Sequence, residues 1–201
     1  MDLKKIQAGN EREIRSLTRQ VSEWVFGAVL LMLKSRQDAE EVVQDAVLKI
    51  LTLLIEGDQA NAGLKEEGAF KSWAFQIAIN KAKDRIKWNN QRKRRIWKES
   101  VEVDDTNPAY ERAFNLRKSK TEQPLEPEEQ LIQNEQLMIL WRCIDQLPIN
   151  QREALVLVKV EGYRMKEAAV IMKTSPKAVE SLLSRARVKL KTILAKKQDE
   201  A

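Results

Sequence analysis

Asp38, Glu41 and Asp45 recur at spacings of three and four residues. On a helix they fall, with Lys49, within about 80° of one another, and Leu48 lies exposed among them. A row of carboxylates can bind a hard cation, face water, or dock a basic partner with Leu48 as apolar anchor. A metal centre also needs histidine or a second carboxylate-rich helix, and the 201 residues include no histidine. The same absence removes Ser-His-Asp and Cys-His nucleophiles, histidine-ligated zinc and a histidine pH switch. Cys143 is the only cysteine, so no intramolecular disulfide or paired-cysteine site can form. No cofactor, metal or small-molecule substrate is expected, and the activity is expected to be binding, not catalysis.

Two further groupings point to a polyanion. Between Lys81 and Lys98 stand nine basic residues and one acid, Asp84, with Trp88 and Trp97 interleaved. In the helix leading into this run, Phe70, Ala74, Ile77, Ala78, Ala82 and Ile86 share an apolar face. Ser72, Gln76, Asn80, Lys83, Asp84 and Lys87 form a polar stripe that contains Trp73. Such a tryptophan can stack on an unpaired base while its neighbours hold phosphates; it can equally pack at a domain edge. Near the C-terminus, Met165–Met172, a tight turn and Pro176–Ile193 have helix-turn-helix proportions. Val179, Leu182, Leu183, Ala186 and Leu190 make one stripe of the last helix. Lys177, Ser181, Ser184 and Val188 lie opposite, flanked by Glu180 and Arg185, with Thr174 and Ser175 at its start. Small polar residues beside Lys and Arg let a helix approach base edges while gripping phosphates. Arg187, Lys189, Lys191, Lys196 and Lys197 extend it as a basic tail.

The elements that must position these groups are all helical. Strand signals are nearly absent. Ala39, Val42, Val43, Ala46, Val47, Ile50 and Leu54 recur with helical period after a cap near Ser35–Asp38. Asp38 and Asp45 lie opposite that stripe and are both expected to face outward. A second helix is expected over about Phe70–Trp88, then Glu135–Leu147, Gln151–Glu161, and a last helix capped by Ser175. Charge is uneven: net +5 over residues 1–99, −5 over 100–135 and +6 over 136–201. The middle stretch holds Pro108, Pro124 and Pro127 and little periodicity, with short helical pieces expected only around Tyr110–Lys118. The expected architecture is therefore all-α, with two small helical domains, 1–99 and 135–201, joined by an acidic flexible linker over 100–134. The longest apolar run, Trp24–Leu33, falls short of the roughly 20 residues that cross a bilayer, and the first twenty residues lack a signal-peptide core. A cytoplasmic chain without membrane insertion is expected.

Residues 38–48 (DAEEVVQDAVL) and 70–84 (FKSWAFQIAINKAKD) resemble region two of the sigma-70 family, and more narrowly its extracytoplasmic-function (ECF) group. Residues 147–155 (LPINQREAL), 161–169 (EGYRMKEAA) and 175–187 (SPKAVESLLSRAR) resemble region four. The two stretches cover about two thirds of the chain, in the family's order. The resemblance implies a bacterial initiation factor that binds core RNA polymerase, through its β′ clamp and β flap, and directs it to promoter DNA. Asp38, Glu41, Gln44, Asp45 and Leu48 fall where the family docks on the clamp. Trp73, Gln76, Asn80, Lys83, Asp84 and Lys87 fall where it recognises and opens the minus-ten element. Thr174, Ser175, Lys177, Ser181, Ser184 and Arg185 fall where it reads the minus-35 element. The linker would thread the polymerase's RNA channel, and an anti-sigma factor is an expected partner. Two features depart from the pattern: the loop 56–69 is longer than expected, and the turn 173–175 lacks a glycine, which argues against a positive φ there. A rival reading is a free-standing dimeric helix-turn-helix regulator, which needs neither the acidic stripe nor the basic-aromatic helix.

Overall fold

Caps, apolar spacing and turn residues set the helices of the computed structural model, which describes residues 3–56, 67–96 and 139–199. No strand occurs among them. They fall into two compact units, one on either side of residues 97–138. The expected linker 100–134, its pieces around Tyr110–Lys118, the side chains of Trp97, Lys98 and Lys197, and most of the long loop lie outside the described residues.

The first unit holds α1 (Leu3–Gln7), α2 (Glu11–Leu33), α3 (Arg36–Ile55) and α4 (Glu67–Ile96). Asn10 caps α2 by accepting from the Glu13 N–H at 3.2 Å, and Ser35 caps α3 by accepting from the Asp38 N–H at 3.2 Å. Such caps each contribute about 1 kcal/mol. The run that ends α2 is buried nearly all round, from Ala28 to Leu33, because α3 and α4 both pack on it. A helix apolar on every side belongs at the centre of a bundle. No helix among the described residues is long and apolar enough to cross a membrane. On α3 the buried residues are the seven that the period selects. On α4 the expected core face is incomplete. Phe75 and Ile79 are fully buried while Ile77 and Ile86 are half-buried, since α4 packs against both α2 and α3 and buries a wider arc than one stripe. It also runs further than expected, to Ile96.

The second unit holds α5 (residues 139–144), α6 (Ile149–Leu155), α7 (Met165–Ile171) and α8 (Pro176–Asp199). Buried Arg152 donates to the carbonyls of Asp145 (2.5 Å) and Leu147 (3.5 Å), pinning the turn before α6. The expected single helix over Gln151–Glu161 instead widens into a π turn, Val156–Val160. Its end is fixed by Glu161 N–H to Val156 O and Tyr163 N–H to Leu157 O, around Gly162 at φ 75°.

The turn between α7 and α8 corrects the expectation drawn from its missing glycine. Lys173 adopts φ 52°. Its N–H bonds Val170 O at 3.2 Å and that of Thr174 bonds Ala169 O at 2.9 Å, the paired bonds of a Schellman motif. Two satisfied carbonyls outweigh the roughly 1–2 kcal/mol that a side chain pays in the left-handed region.

Candidate polymerase and nucleic-acid interfaces

The acidic stripe of α3 does not face water uniformly. Glu41, Gln44, Asp45 and Leu48 are exposed, Leu48 by 64%. Asp38 turns toward α4, and the expectation that it lies free on the outer face is corrected. Its Oδ1 accepts from Arg85 Nη1 at 2.8 Å and its Oδ2 from Asn89 Nδ2 at 3.0 Å. The same Arg85 nitrogen reaches Glu41 Oε2 at 2.9 Å. The Glu41 hydrogen bond holds the Arg85 guanidinium above its ordinary pKa; burial opposes this, and the charges of Asp38 and Glu41 add to it. Asp45 meets Lys81 only at 3.8 Å. Coulomb attraction thus ties the upper stripe to α4 and leaves its lower part open.

Arg85 and Asn89 escaped the sequence reading. The signal was present: Lys81, Arg85 and Asn89 recur every fourth residue on a second polar face of α4, turned away from the Trp73 stripe. Between α3 and α4 runs a groove of about 380 Å³ lined by Val42, Asp45, Lys81, Asp84, Arg85 and Trp88. The guanidinium groups of Arg85 and Arg92 lie 5.8 and 5.3 Å from the centroid of the Trp88 ring, which is half exposed.

The residues expected at the minus-ten element lie along the rest of the polar surface of α4, with Asp84 at the edge of the groove. Gln76, Asn80 and Lys83 are half-buried; Asp84 and Lys87 are exposed, with Lys87 Nζ 3.4 Å from Asp84 Oδ1. Trp73 is half-buried, its ring 5.8 Å from that of Phe70, which lies 6.1 Å from Trp24. Trp73 therefore belongs to an aromatic cluster at the start of α4 and keeps part of its surface in solvent. The packing and stacking readings of this residue are compatible.

In α8, Val179 and Ala186 are fully buried and Leu182, Leu183 and Leu190 half-buried. Lys177, Ser184, Arg185 and Val188 are exposed, and Ser181 is half-buried. Ser175 spends one lone pair on the cap, accepting from Ala178 N–H at 3.2 Å, while Thr174 beside it is exposed. The α8 N-terminus thus presents backbone N–H groups, a lysine and small hydroxyls together, chemistry suited to phosphates and base edges. Exposed Arg187, Lys189, Lys191 and Lys196 follow.

Two family models match these units: "Sigma-70 region 2" over residues 17–92 and "Sigma-70, region 4" over residues 137–190. The RNA polymerase sigma-H factor of Pseudomonas aeruginosa is 26% identical over 92% of this chain and 88% of its own length. The ECF RNA polymerase sigma-E factor of Haemophilus influenzae is 26% identical over 92% and 89%, and that of Escherichia coli K12 25% over 92% and 88%. Among solved structures, the fold is similar to CnrH in complex with the cytosolic domain of CnrY (TM-score 0.57, 21% identity, 96% and 94% covered). It is also similar to the sigma factor RpoE in complex with the anti-sigma factor NepR from Bartonella quintana (0.51, 20%, 92% and 96%). The chain belongs to the sigma-70 family, in its extracytoplasmic-function group. It is a sigma factor: it binds core RNA polymerase and promoter DNA and directs promoter-specific initiation. The free-standing regulator is not favoured, since it has no use for region two.

Proposed function

We propose a division of that work among particular residues. Glu41, Gln44, Asp45 and Leu48 dock the first unit on a basic surface of the β′ clamp, with Asp38 in support. Trp73, Gln76, Asn80, Lys83, Asp84 and Lys87 engage the minus-ten element, Trp73 stacking on an unpaired base as the strands part. Thr174, Ser175, Lys177, Ser181, Ser184 and Arg185 read the minus-35 element, with the second unit on the β flap. The observation that carries this reading is the presence of two exposed surfaces of different chemistry within one unit. Exposed carboxylates and an apolar anchor lie on α3, while an amide-, lysine- and tryptophan-bearing stripe lies on α4. The carboxylates of the first repel the DNA phosphates, and the lysines of the second attract them.

The domains 1–99 and 135–201, the linker 100–134 and its path through the RNA channel belong to this proposal. So does action in the cytoplasm, by binding and not by catalysis. An anti-sigma factor is a further proposed partner, supported by the capture of the similar RpoE with NepR. The test is competition for core polymerase between the wild-type chain and Asp45→Lys, with transcription from a cognate promoter as second readout. Asp45 is mostly exposed, so its reversal spares the fold and meets the basic clamp with like charge. Wild-type competition by a folded Asp45→Lys chain would remove the stripe from docking. Failure of the wild-type chain to bind core would remove the whole assignment of faces.

A further inference from the structure

A single guanidinium joins α4 to the acidic stripe of α3 in the first unit. We infer that Arg85 is a positioning residue for polymerase docking: it clamps Asp38 and Glu41 of α3 to α4 and so fixes the helix that presents Asp45 and Leu48. The inference rests on the docking reading above and adds to it a residue from the opposite helix.

Simple electrostatics gives the opposite sign. Arg85 neutralises part of an acidic surface meant for a basic partner, so its removal should tighten docking. Geometry decides otherwise. The Arg85 side chain is only 22% exposed, as is that of Asp38, and it is held at 2.8 and 2.9 Å by two carboxylates, with the Trp88 ring centroid 5.8 Å away. A part-buried side chain held by two carboxylates is a strut, not a gate that swings aside. Both oxygens of Asp38 are spent inward, on Arg85 and Asn89, so Asp38 acts through α4 and does not touch the partner. Glu41 gives one oxygen to Arg85 and keeps Oε1 turned to Gln37 at 3.4 Å, on the solvent side. Without the strut, α3 keeps its apolar packing, but its carboxylates regain rotamer freedom that docking must then remove.

Core affinity of the full chain is measured for wild type, Arg85→Gln, Arg85→Lys, Asp38→Asn and the Arg85→Gln/Asp38→Asn pair. The temperature lies well below every unfolding midpoint, with circular dichroism confirming helicity. Arg85→Gln is expected to weaken binding about tenfold, and Arg85→Lys, which keeps the charge, to recover part of the loss. The losses of Arg85→Gln and Asp38→Asn overlap, so the double variant loses less than their product. A merely structural residue would lower the midpoint and leave the affinity of the folded chain unchanged. Unchanged or tighter binding by Arg85→Gln, or full multiplicativity with Asp38→Asn, overturns the inference. Loss of binding by Asp45→Lys in the same series shows that the docking face itself stands even then.

Discussion

Replacing Asp38 with Asn should cost the first unit several times more stability than replacing Asp45 with Asn, although the two are acids of one stripe. Asp38 lies 2.8 Å from Arg85, both side chains 22% exposed, and its second oxygen accepts from Asn89 at 3.0 Å. A hydrogen bond to a charged group contributes about 1.5–3 kcal/mol net. Solvent still reaches this pair, and Arg85 keeps Glu41, so the expected loss is about 1–2 kcal/mol. Asp45 is 57% exposed and 3.8 Å from Lys81. An exposed pair of that kind contributes at most about 0.5 kcal/mol. In a unit of this size 1 kcal/mol moves the midpoint by roughly 4–8 °C, so Asp38→Asn should lower it by about 4–16 °C and Asp45→Asn by under about 4 °C. Trp24, Trp73, Trp88 and Trp97 precede the linker and only Trp141 follows it, so tryptophan fluorescence of the full chain reports mainly the first unit. Equal shifts for the two variants would refute the division of the stripe into a tied and an open part.

Other outcomes follow from the same geometry. Ser181→Ala and Lys177→Ala should change preference among minus-35 variants by on the order of 1–3 kcal/mol per lost base contact, whereas Lys191→Ala should weaken all sequences alike and reduce the salt slope; competition binding at several salt concentrations separates them. Trp73→Ala should reduce permanganate reactivity of minus-ten thymines while sparing binding to a pre-melted promoter; an unchanged footprint from a folded variant would leave Trp73 with packing alone. Lys173→Gly should stabilise the second unit by up to about 1 kcal/mol, and Lys173→Val should destabilise it, as read by hydrogen exchange of the α7 and α8 amides.

Helix content and the seven buried positions of α3 were legible because a 3.6-residue period records one face packed on one neighbour. The core of α4 was less so: Phe75 and Ile79 break the single stripe because two helices share it, and a wheel describes one neighbour at a time. Exposure of Glu41, Gln44, Asp45 and Leu48 followed from the same period. The inward turn of Asp38 did not, since it depends on Arg85 and Asn89, which lie about fifty positions away and meet it only once α3 and α4 pack. The positive φ of Lys173 was hidden for a related reason. Residue type carries the steric cost of that conformation, whereas the two hydrogen bonds that offset it belong to the closed turn.

The π turn at Val156–Val160 makes the second unit tolerant of chain length in an unusual way. A π turn is an α-helix holding one residue too many, and deleting one residue from it would restore the ordinary ladder. Deletion from a regular α-helix rotates whatever follows by about 100° and draws it back by about 1.5 Å. Here the wider turn already absorbs the surplus residue, so the chain beyond it would keep nearly its direction and height. The hydroxyls and lysine at the start of α8 would then address the same arc of the duplex. A one-residue deletion at this place is thus distinct in kind from one in the middle of α8, which would shift every later residue to another face.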